Sequence, residues 1–313
     1  MSFKKVTVIG GGVLGSQIAY QTAYCGFDVT IWMRSESSIT RTQPKIDALH
    51  QTYIDTLNLM NTPEGKRPGV WANGLADPAD FDLDKCLAQN ENAYKTLKLE
   101  TSLEKALGDA DLVIESMAED PKQKIEFYQK AASLLPEKTV LVTNSSTLLP
   151  STFASYTGRP EKYLSLHFAN QIWRANTAEI MNHAGTDPKY YDEVVEFAKQ
   201  IRMIPLCLHK EQPGYLLNTM LVPLLNSGLY LWANDIADPE TIDLTWRVGT
   251  GASMGPFQFC DVIGITTVYN VVAINPEANK PGTVHYLIKQ KLQPMIDAGH
   301  LGRATGEGFY KYN

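Results

Sequence analysis

The sequence predicts an α/β fold, a doubly wound parallel sheet followed by an all-α C-terminal domain, on three observations. Short apolar, β-rich runs alternate with helical stretches over the first two thirds of the chain. A glycine turn joins the first such run to the first helix. Beyond residue 212 leucines recur at helical spacing and no comparable strand signal follows. The 313 residues fit two domains at roughly 150 residues each. We place them at 1–211 and 212–313.

Each element follows in order. Val6-Thr7-Val8-Ile9 is a strand that ends in glycines. Ser16 to Tyr24 is a helix stopped at Gly26, and Asp28 to Met33 is the next strand. Ile46 to Met60 is helical, and a Pro/Gly-rich stretch from Pro63 to Pro78 follows it. That stretch and the acids Asp77, Asp80, Asp82 and Asp84 read as a solvated surface loop, with a lid as the other option. The sheet resumes near Leu97–Leu99, then at Leu112–Glu115 and Val140–Thr143. A helix opened by Pro121 runs through Leu135 between the last two. Tyr163–His167, Thr177–Met181 and Ile204–His209 are later strands, with a helix at Asp192–Ile201. From Pro213 the residues Leu216, Leu217, Met220, Leu221, Leu224, Leu225 and Leu229 mark a long helix that Pro223 is expected to kink.

Composition narrows the function. Hydrophobic residues make up 44% and charged residues 20%, as in an ordinary globular protein. The formal charge is -6, from 28 basic and 34 acidic residues, with no basic tract. Nucleic acid and an anionic membrane are therefore not expected as partners. No apolar run approaches the ~20 residues of a membrane span. The opening Met1–Lys5 leads into the first strand and does not read as a signal peptide. Cys25, Cys86, Cys207 and Cys260 are scattered, without metal-ligand or disulfide spacing, so reduced thiols and a cytoplasmic location are expected.

Gly10-Gly11-Gly12-Val13-Leu14-Gly15 matches G-x-G-x-x-G between a strand and a helix, the context of a Rossmann-type dinucleotide site. Gly10 would permit the tight turn, Gly12 the approach of a pyrophosphate, and Gly15 close packing of helix on strand. An NAD-binding site usually carries Asp or Glu at the end of the second strand. Here the residues are Met33-Arg34-Ser35. Met33 cannot accept hydrogen bonds from ribose hydroxyls, whereas Arg34 can pair with a 2′-phosphate, with Ser35, Ser37 or Arg41 beside it. NAD(P) is the expected cofactor, with NADP favoured.

Ser146 follows one strand, His167 ends another, Glu179 lies in Asn176-Thr177-Ala178-Glu179, and Asn218 stands early in the leucine-rich helix. If the chain reverses near Trp173, His167 and Glu179 are equidistant from the turn and face each other across adjacent strands. A carboxylate beside an imidazole fixes its tautomer and makes an acid/base pair. A satisfied structural histidine is the other reading.

The sequence resembles the 3-hydroxyacyl-CoA dehydrogenase family over essentially its full length. The landmarks are Val8 to Gly15, Ala110-Asp111-Leu112-Val113-Ile114-Glu115, the Asn144-Ser145-Ser146 segment and His167-Phe168-x-Asn170. They continue with Pro213-Gly214-Tyr215 leading to Asn218, Met254-Gly255-Pro256-Phe257 and Thr305-Gly306-Glu307-Gly308-Phe309-Tyr310. Asn144 to Ser151, His167 to Asn170 and Asn176 to Glu179 are most similar to the diketoreductase branch. The resemblance implies catalytic roles for His167, Glu179, Ser146 and Asn218. It also places Glu119, Lys124, Ser146 and Asn170 near the nicotinamide and the substrate. It implies hydride exchange between a nicotinamide and a 3-keto or 3-hydroxy carbon, and a homodimer built through the C-terminal domain.

Three positions depart from the family pattern. The ribose-binding acid is missing. The family's His-Phe-Phe-Asn-Pro is His167-Phe168-Ala169-Asn170-Gln171 here, followed by Ile172, Trp173 and Arg174. The basic residue expected before the C-terminal Thr-Gly-Glu-Gly is Ala304, beside Arg303. The substrate therefore stays open between a 3-ketoacyl-CoA, with Lys66 and Arg67 near its phosphates, and a free 3-keto or 3,5-diketo acid or ester. For the free acid Arg174 is a candidate carboxylate partner. A sugar-acid dehydrogenase and a non-catalytic dinucleotide-binding protein are the remaining alternatives.

Overall fold

The structure, a computed structural model, describes residues 3–67 and 69–312. Met1 and Ser2 of the basic opening segment, and Pro68 of the Pro/Gly-rich stretch, lie outside the described residues. The first strand, β1 (Lys5–Ile9), leads through the glycine turn into α1 (Val13–Tyr24) and β2 (Asp28–Trp32). Two helices, α2 (Glu36–Met60) and α3 (Leu83–Thr96), intervene before β3 (Lys98–Glu100). The chain continues as α4 (Leu103–Leu107), β4 (Leu112–Glu115), α5 (Pro121–Ala132) and β5 (Val140–Thr143). Then come β6 (Tyr163–Phe168), β7 (Thr177–Met181), α6 (Pro188–Gln200) and β8 (Ile204–Cys207).

These strands form one sheet in the order β3-β2-β1-β4-β5-β6-β7-β8. Every neighbouring pair is parallel except β6 and β7. The order reverses at β1, where the chain leaves β1 for β2 on one side and returns with β4 on the other. In such sheets the crevice outside the strand ends at this point takes the ligand. Strands β4 and β5 are buried at every residue, as parallel strands covered on both faces must be. Alternate side chains feed two cores. Val6, Val8, Leu112 and Ile114 enter one, and Ile9, Val113, Leu141 and Tyr163 the other.

Two expectations for the N-terminal half change. Helix α2 starts ten residues before Ile46 and holds Pro44 inside it. Its first two turns are polar and carry no apolar periodicity to read. The segment after it is solvated only in part: Pro63, Glu64, Lys66, Arg67 and the acids Asp77, Asp80, Asp82 and Asp84 are exposed, but its middle is buried. Ala72, Leu75 and Ala76 are buried, and Gln21 Nε2 donates to the Gly74 carbonyl at 2.7 Å. Tyr24 Oη donates to Leu75 O at 3.1 Å, and the Gly74 N–H donates to Trp173 O at 3.1 Å. Part of the acidic patch serves as caps. Asp77 accepts from the Ala79 N–H at 2.8 Å, and Asp82 from the Lys85 N–H at 3.0 Å.

The chain divides into two compact units after Leu216. The second is helical: α7 (Tyr215–Ala233) enters it, followed by α8 (Pro239–Thr250), α9 (Pro256–Ile263), α10 (Ile265–Ile274) and α11 (Val284–Asp297). Its core is built on Leu225, Leu229, Phe257, Ile265 and Leu292. Among the described residues its only β pairing is the isolated bridging of Glu307 with Gly302 and Lys311. Helix α7, at 19 residues and mean hydropathy 1.2, is long and apolar enough to cross a membrane. This corrects the sequence reading that nothing approaches that length. Polar Asn218, Thr219 and Asn226 interrupt the apolar run and hid its length in the sequence. Only 22% of that stretch is buried.

Two buried carboxylates strap down the C-terminal tail. Asp243 accepts from the N–H groups of Phe257 and Gln258 and from Tyr310 Oη, at 2.8, 2.9 and 2.9 Å. Asp261 accepts from the N–H groups of Phe309 and Tyr310 and from Tyr312 Oη, at 2.8, 3.0 and 2.7 Å. A Cβ at Gly308 would lie 2.1 Å from Asp261 Oδ1. Gly308→Ala should therefore displace the tail and destabilise the protein by about 1–3 kcal/mol. Thermal unfolding checks this, and an unchanged midpoint would refute the strap.

Candidate active site and dinucleotide crevice

The glycine turn is shaped by close approach. Gly10 has φ 108°, and a Cβ there would lie 2.7 Å from the Ser116 carbonyl oxygen. A Cβ at Gly15 would fall 2.1 Å from the Gly10 carbonyl oxygen, so only hydrogen fits between helix and turn. At Gly12 nothing lies within 4 Å of that position. The start of α1 has no side-chain cap, which leaves its first N–H groups available to an anion. Val13 is exposed and Leu14 half-buried at this helix end. Open space and uncapped amides at this turn fit a pyrophosphate.

Beyond the turn lies a cavity of about 300 Å³, lined by Gly10 to Gly12, Met33, Arg34, Ser38, Arg41, Lys45 and Gln123 among others. No lining residue is an Asp or Glu. Met33 is buried, and Arg34 and Ser35 are exposed. Arg34 Nη1 donates to Gln123 Oε1 at 3.4 Å, and Arg41 Nη2 to Ser38 Oγ at 2.9 Å. Ser35 Oγ, at the start of α2, lies 3.0 Å from Ser37 Oγ and 3.1 Å from Ser38 Oγ. Lys45 Nζ reaches the Gly11 carbonyl at 3.3 Å. Cations and hydroxyls thus cluster where an acid would hold a ribose.

The acid/base geometry comes from the antiparallel pair. The register of β6 and β7 sets His167 directly opposite Glu179. His167 Nδ1 is 2.9 Å from Glu179 Oε2, with both side chains almost fully buried. The other oxygen, Oε1, accepts from the Leu216 N–H at 2.9 Å. His167 Nε2 faces Ser146 Oγ at 3.1 Å. An ionised carboxylate only accepts, so Nδ1 keeps its hydrogen and Nε2 is the nitrogen that gains and loses a proton. The structure thus brings Ser146, His167 and Glu179 together. Asn218 belongs to the second unit, and Asn170 is exposed just beyond β6.

Glu119 and Lys124 sit behind the serine. Ser145 Oγ donates to the Glu119 carboxylate, 2.9 and 2.8 Å from its two oxygens, and the Ser146 N–H donates to Glu119 Oε1 at 2.5 Å. Lys124 Nζ lies 3.8 Å from Glu119 and within 2.7 and 2.8 Å of the two oxygens of Glu115. Glu115 also accepts from Tyr128 Oη, Thr143 Oγ1 and the Met117 N–H, at 2.8, 2.7 and 2.7 Å. Burial pushes the Tyr128 phenol well up, so its hydroxyl stays a donor.

Three contributors were not assigned roles from sequence. Glu115 was visible only as an acid closing an otherwise apolar strand. Asn144 Oδ1 accepts from the Phe168 N–H at 3.0 Å and ties β5 to β6. Tyr215 stacks on His167, with ring centroids 4.5 Å apart and planes inclined by 16°. Trp173 is packing, 5.6 Å from Tyr53 between ring centroids. Arg174 Nη1 donates to Val70 O at 3.0 Å and helps to hold the segment after α2.

Known proteins and solved structures match the chain over nearly its whole length. The chain is 42% identical to a solved diketoreductase described for catalysis on dicarbonyl compounds, with full coverage of both chains and a TM-score of 0.84. It is 29% identical to a 3-hydroxybutyryl-CoA dehydrogenase of Clostridioides difficile, covering 99% of each. It is 28% identical to the mitochondrial hydroxyacyl-coenzyme A dehydrogenase of Homo sapiens, covering 99% of this chain and 91% of that protein. The profile of the 3-hydroxyacyl-CoA dehydrogenase NAD-binding domain matches residues 5–69 and 72–212, and that of the C-terminal domain residues 214–312. With nearly every residue from 5 to 312 so matched, the chain belongs to the 3-hydroxyacyl-CoA dehydrogenase family.

Proposed function

We propose that the protein is an NAD(P)-dependent oxidoreductase that interconverts a 3-hydroxy and a 3-keto acyl compound. The observation that carries this is the Glu179–His167–Ser146 chain, in which buried Glu179 holds Nδ1 and Nε2 faces the half-buried Ser146 hydroxyl. The dinucleotide, when bound, supplies or accepts the hydride. In reduction, His167 gives the Nε2 proton to the oxygen that becomes the hydroxyl, and Glu179 offsets the positive charge before transfer. In oxidation, neutral His167 takes that proton back. Ser146 Oγ, beside Nε2, is a donor for the developing oxyanion.

A free 3,5-dicarbonyl acid or ester is a second reading, favoured by the 42% identity to the diketoreductase. Initial rates on acetoacetyl-CoA and on a free 3,5-diketo ester separate the two. His167→Ala should lower either rate by about 10²–10⁴-fold. A variant as fast as the wild type would overturn the acid/base role.

NADP is the proposed preference. Arg34, Arg41, Ser35 and Ser38 supply the charge and hydroxyls that a 2′-phosphate needs, in a cavity without a lining carboxylate. Removing a hydrogen bond to a charged group costs about 1.5–3 kcal/mol. Arg34→Ala and Arg41→Ala should each reduce kcat/KM with NADPH by roughly 10–100-fold and leave that with NADH nearly unchanged. Equal losses with both coenzymes would refute the assignment.

We also propose a homodimer through the C-terminal helices. Met220, Val248 and Ile274 are 67%, 75% and 81% exposed on three different helices of that unit. Large apolar side chains left this exposed on three helices of one unit support an interface on that unit. Val248→Glu should shift the species seen by light scattering from dimer to monomer. A wild-type monomer would remove this proposal.

A further inference from the structure

The turn from Gln212 to Leu216 holds structure that the proton-transfer chemistry alone does not require. Gly214 and Tyr215 are both left-handed, at φ 79° and φ 53°. Glycine adopts this backbone freely, whereas an aromatic residue is strained by it. Such strain persists where surrounding contacts over-determine it, and it clusters at functional sites.

The contacts of Tyr215 are specific. Its ring is buried against Met181, Leu208 and Leu149 and stacks on His167. Its hydroxyl donates to the Ser145 carbonyl at 2.8 Å. Burial raises this phenol out of the physiological range, so it remains a donor. The next residue gives its N–H to Glu179 Oε1 at 2.9 Å. One turn therefore touches His167 and Glu179 directly and holds the Ser145 carbonyl next to Ser146.

Two features of this arrangement matter. Hydrogen bonds at Nδ1 and Nε2 fix the two nitrogens of His167, but leave the ring free to tip about the line joining them. A parallel ring at 4.5 Å sets that tilt. The peptide that carries Ser146 is likewise gripped at both ends. Tyr215 holds its carbonyl oxygen, and Glu119 holds its N–H at 2.5 Å.

We propose that Tyr215 is a positioning residue for proton transfer. Its ring sets the plane of the His167 imidazole, and its hydroxyl sets the Ser145–Ser146 peptide, so that Ser146 Oγ stays on Nε2. This rests on the reading above, in which His167 moves the proton. Its hydroxyl is directed to the Ser145 carbonyl, so its part is to position the groups that move the proton.

The test uses the full-length protein, Tyr215→Phe and Tyr215→Leu. Three readouts apply: kcat and KM with the 3-keto substrate, the Kd for NAD(P)H, and the downfield proton resonance of the His167 Nδ1–H···Glu179 hydrogen bond. Phenylalanine keeps the stack and loses one hydrogen bond, so kcat should fall about 3–10-fold with the Kd for NAD(P)H unchanged. Leucine also loses the stack. There kcat should fall about 100-fold, and the downfield resonance should broaden or vanish. Wild-type kcat in the leucine variant would overturn the proposal, as would a loss of NAD(P)H affinity parallel to the loss of kcat. If leucine prevents folding, the phenylalanine variant decides alone, since an unchanged kcat there refutes the role of the hydroxyl. If the wild type turns over no 3-keto compound, the proposed function fails, and the resonance in the three proteins still tests the positioning role.

Discussion

The antiparallel pairing of β6 and β7 is the constraint on which the rest of the site depends. A parallel pair needs a crossover of a dozen or more residues, which would place an imidazole and its carboxylate far apart in the chain. The reversal joins the two strands through residues 169–176 alone and sets the two side chains directly opposite. Their facing is then a consequence of pleat and register. A slip of one residue would turn one of the two side chains to the other face. Packing defends the register, because Leu166 and Phe168 on β6 and Ala178 and Ile180 on β7 are all nearly fully buried.

Around that pair the site is assembled from segments that meet at one edge of the sheet. The turns after β5 and β4 leave from that edge and supply Ser146 and Glu119, whereas β8 runs the opposite way and the segment after it returns to supply the Leu216 N–H. The glycine turn after β1 opens at the same edge, as the parallel registers require. The doubly wound sheet thus gathers distant residues without any long-range coincidence. Strands β1, β4 and β5 only have to end where their neighbours do.

Much of this was legible in the sequence, and the reasons are specific. The Gly10–Gly15 spacing carries a steric requirement that few other folds impose. The equal distances of His167 and Glu179 from a turn carry the register. What stayed hidden depends on contacts between segments remote in sequence. Tyr215 looks like one more aromatic at the head of an apolar helix, and its stacking on His167 exists only once residues 48 apart are folded together. Glu115 ends an apolar strand, and nothing local reveals that it is fully buried. The segment after α2 reads as polar and breaker-rich, yet α1 and the turn after β6 supply partners for its backbone. The two-domain division and the extent of the leucine-rich helix were visible in periodicity. The exposure of that helix was not, because a buried helix and one awaiting a partner share the same apolar pattern.

The Glu115 cluster has a consequence for how this end of the sheet comes apart. A buried ion pair is weak evidence for stability, but losing one partner leaves an uncompensated charge at a cost of about 3–5 kcal/mol. Here the carboxylate is shared by Lys124 and Tyr128 of α5, Thr143 of β5 and the turn after β4. Opening of α5 would strand the Glu115 charge, and opening of β5 or the turn after β4 would take a donor from the buried carboxylate. Local fraying is thereby suppressed and the three segments are welded into one cooperative unit. Amides there should exchange with solvent only when the whole unit unfolds, although the chain at this end is largely turns, which would otherwise be the first part to loosen.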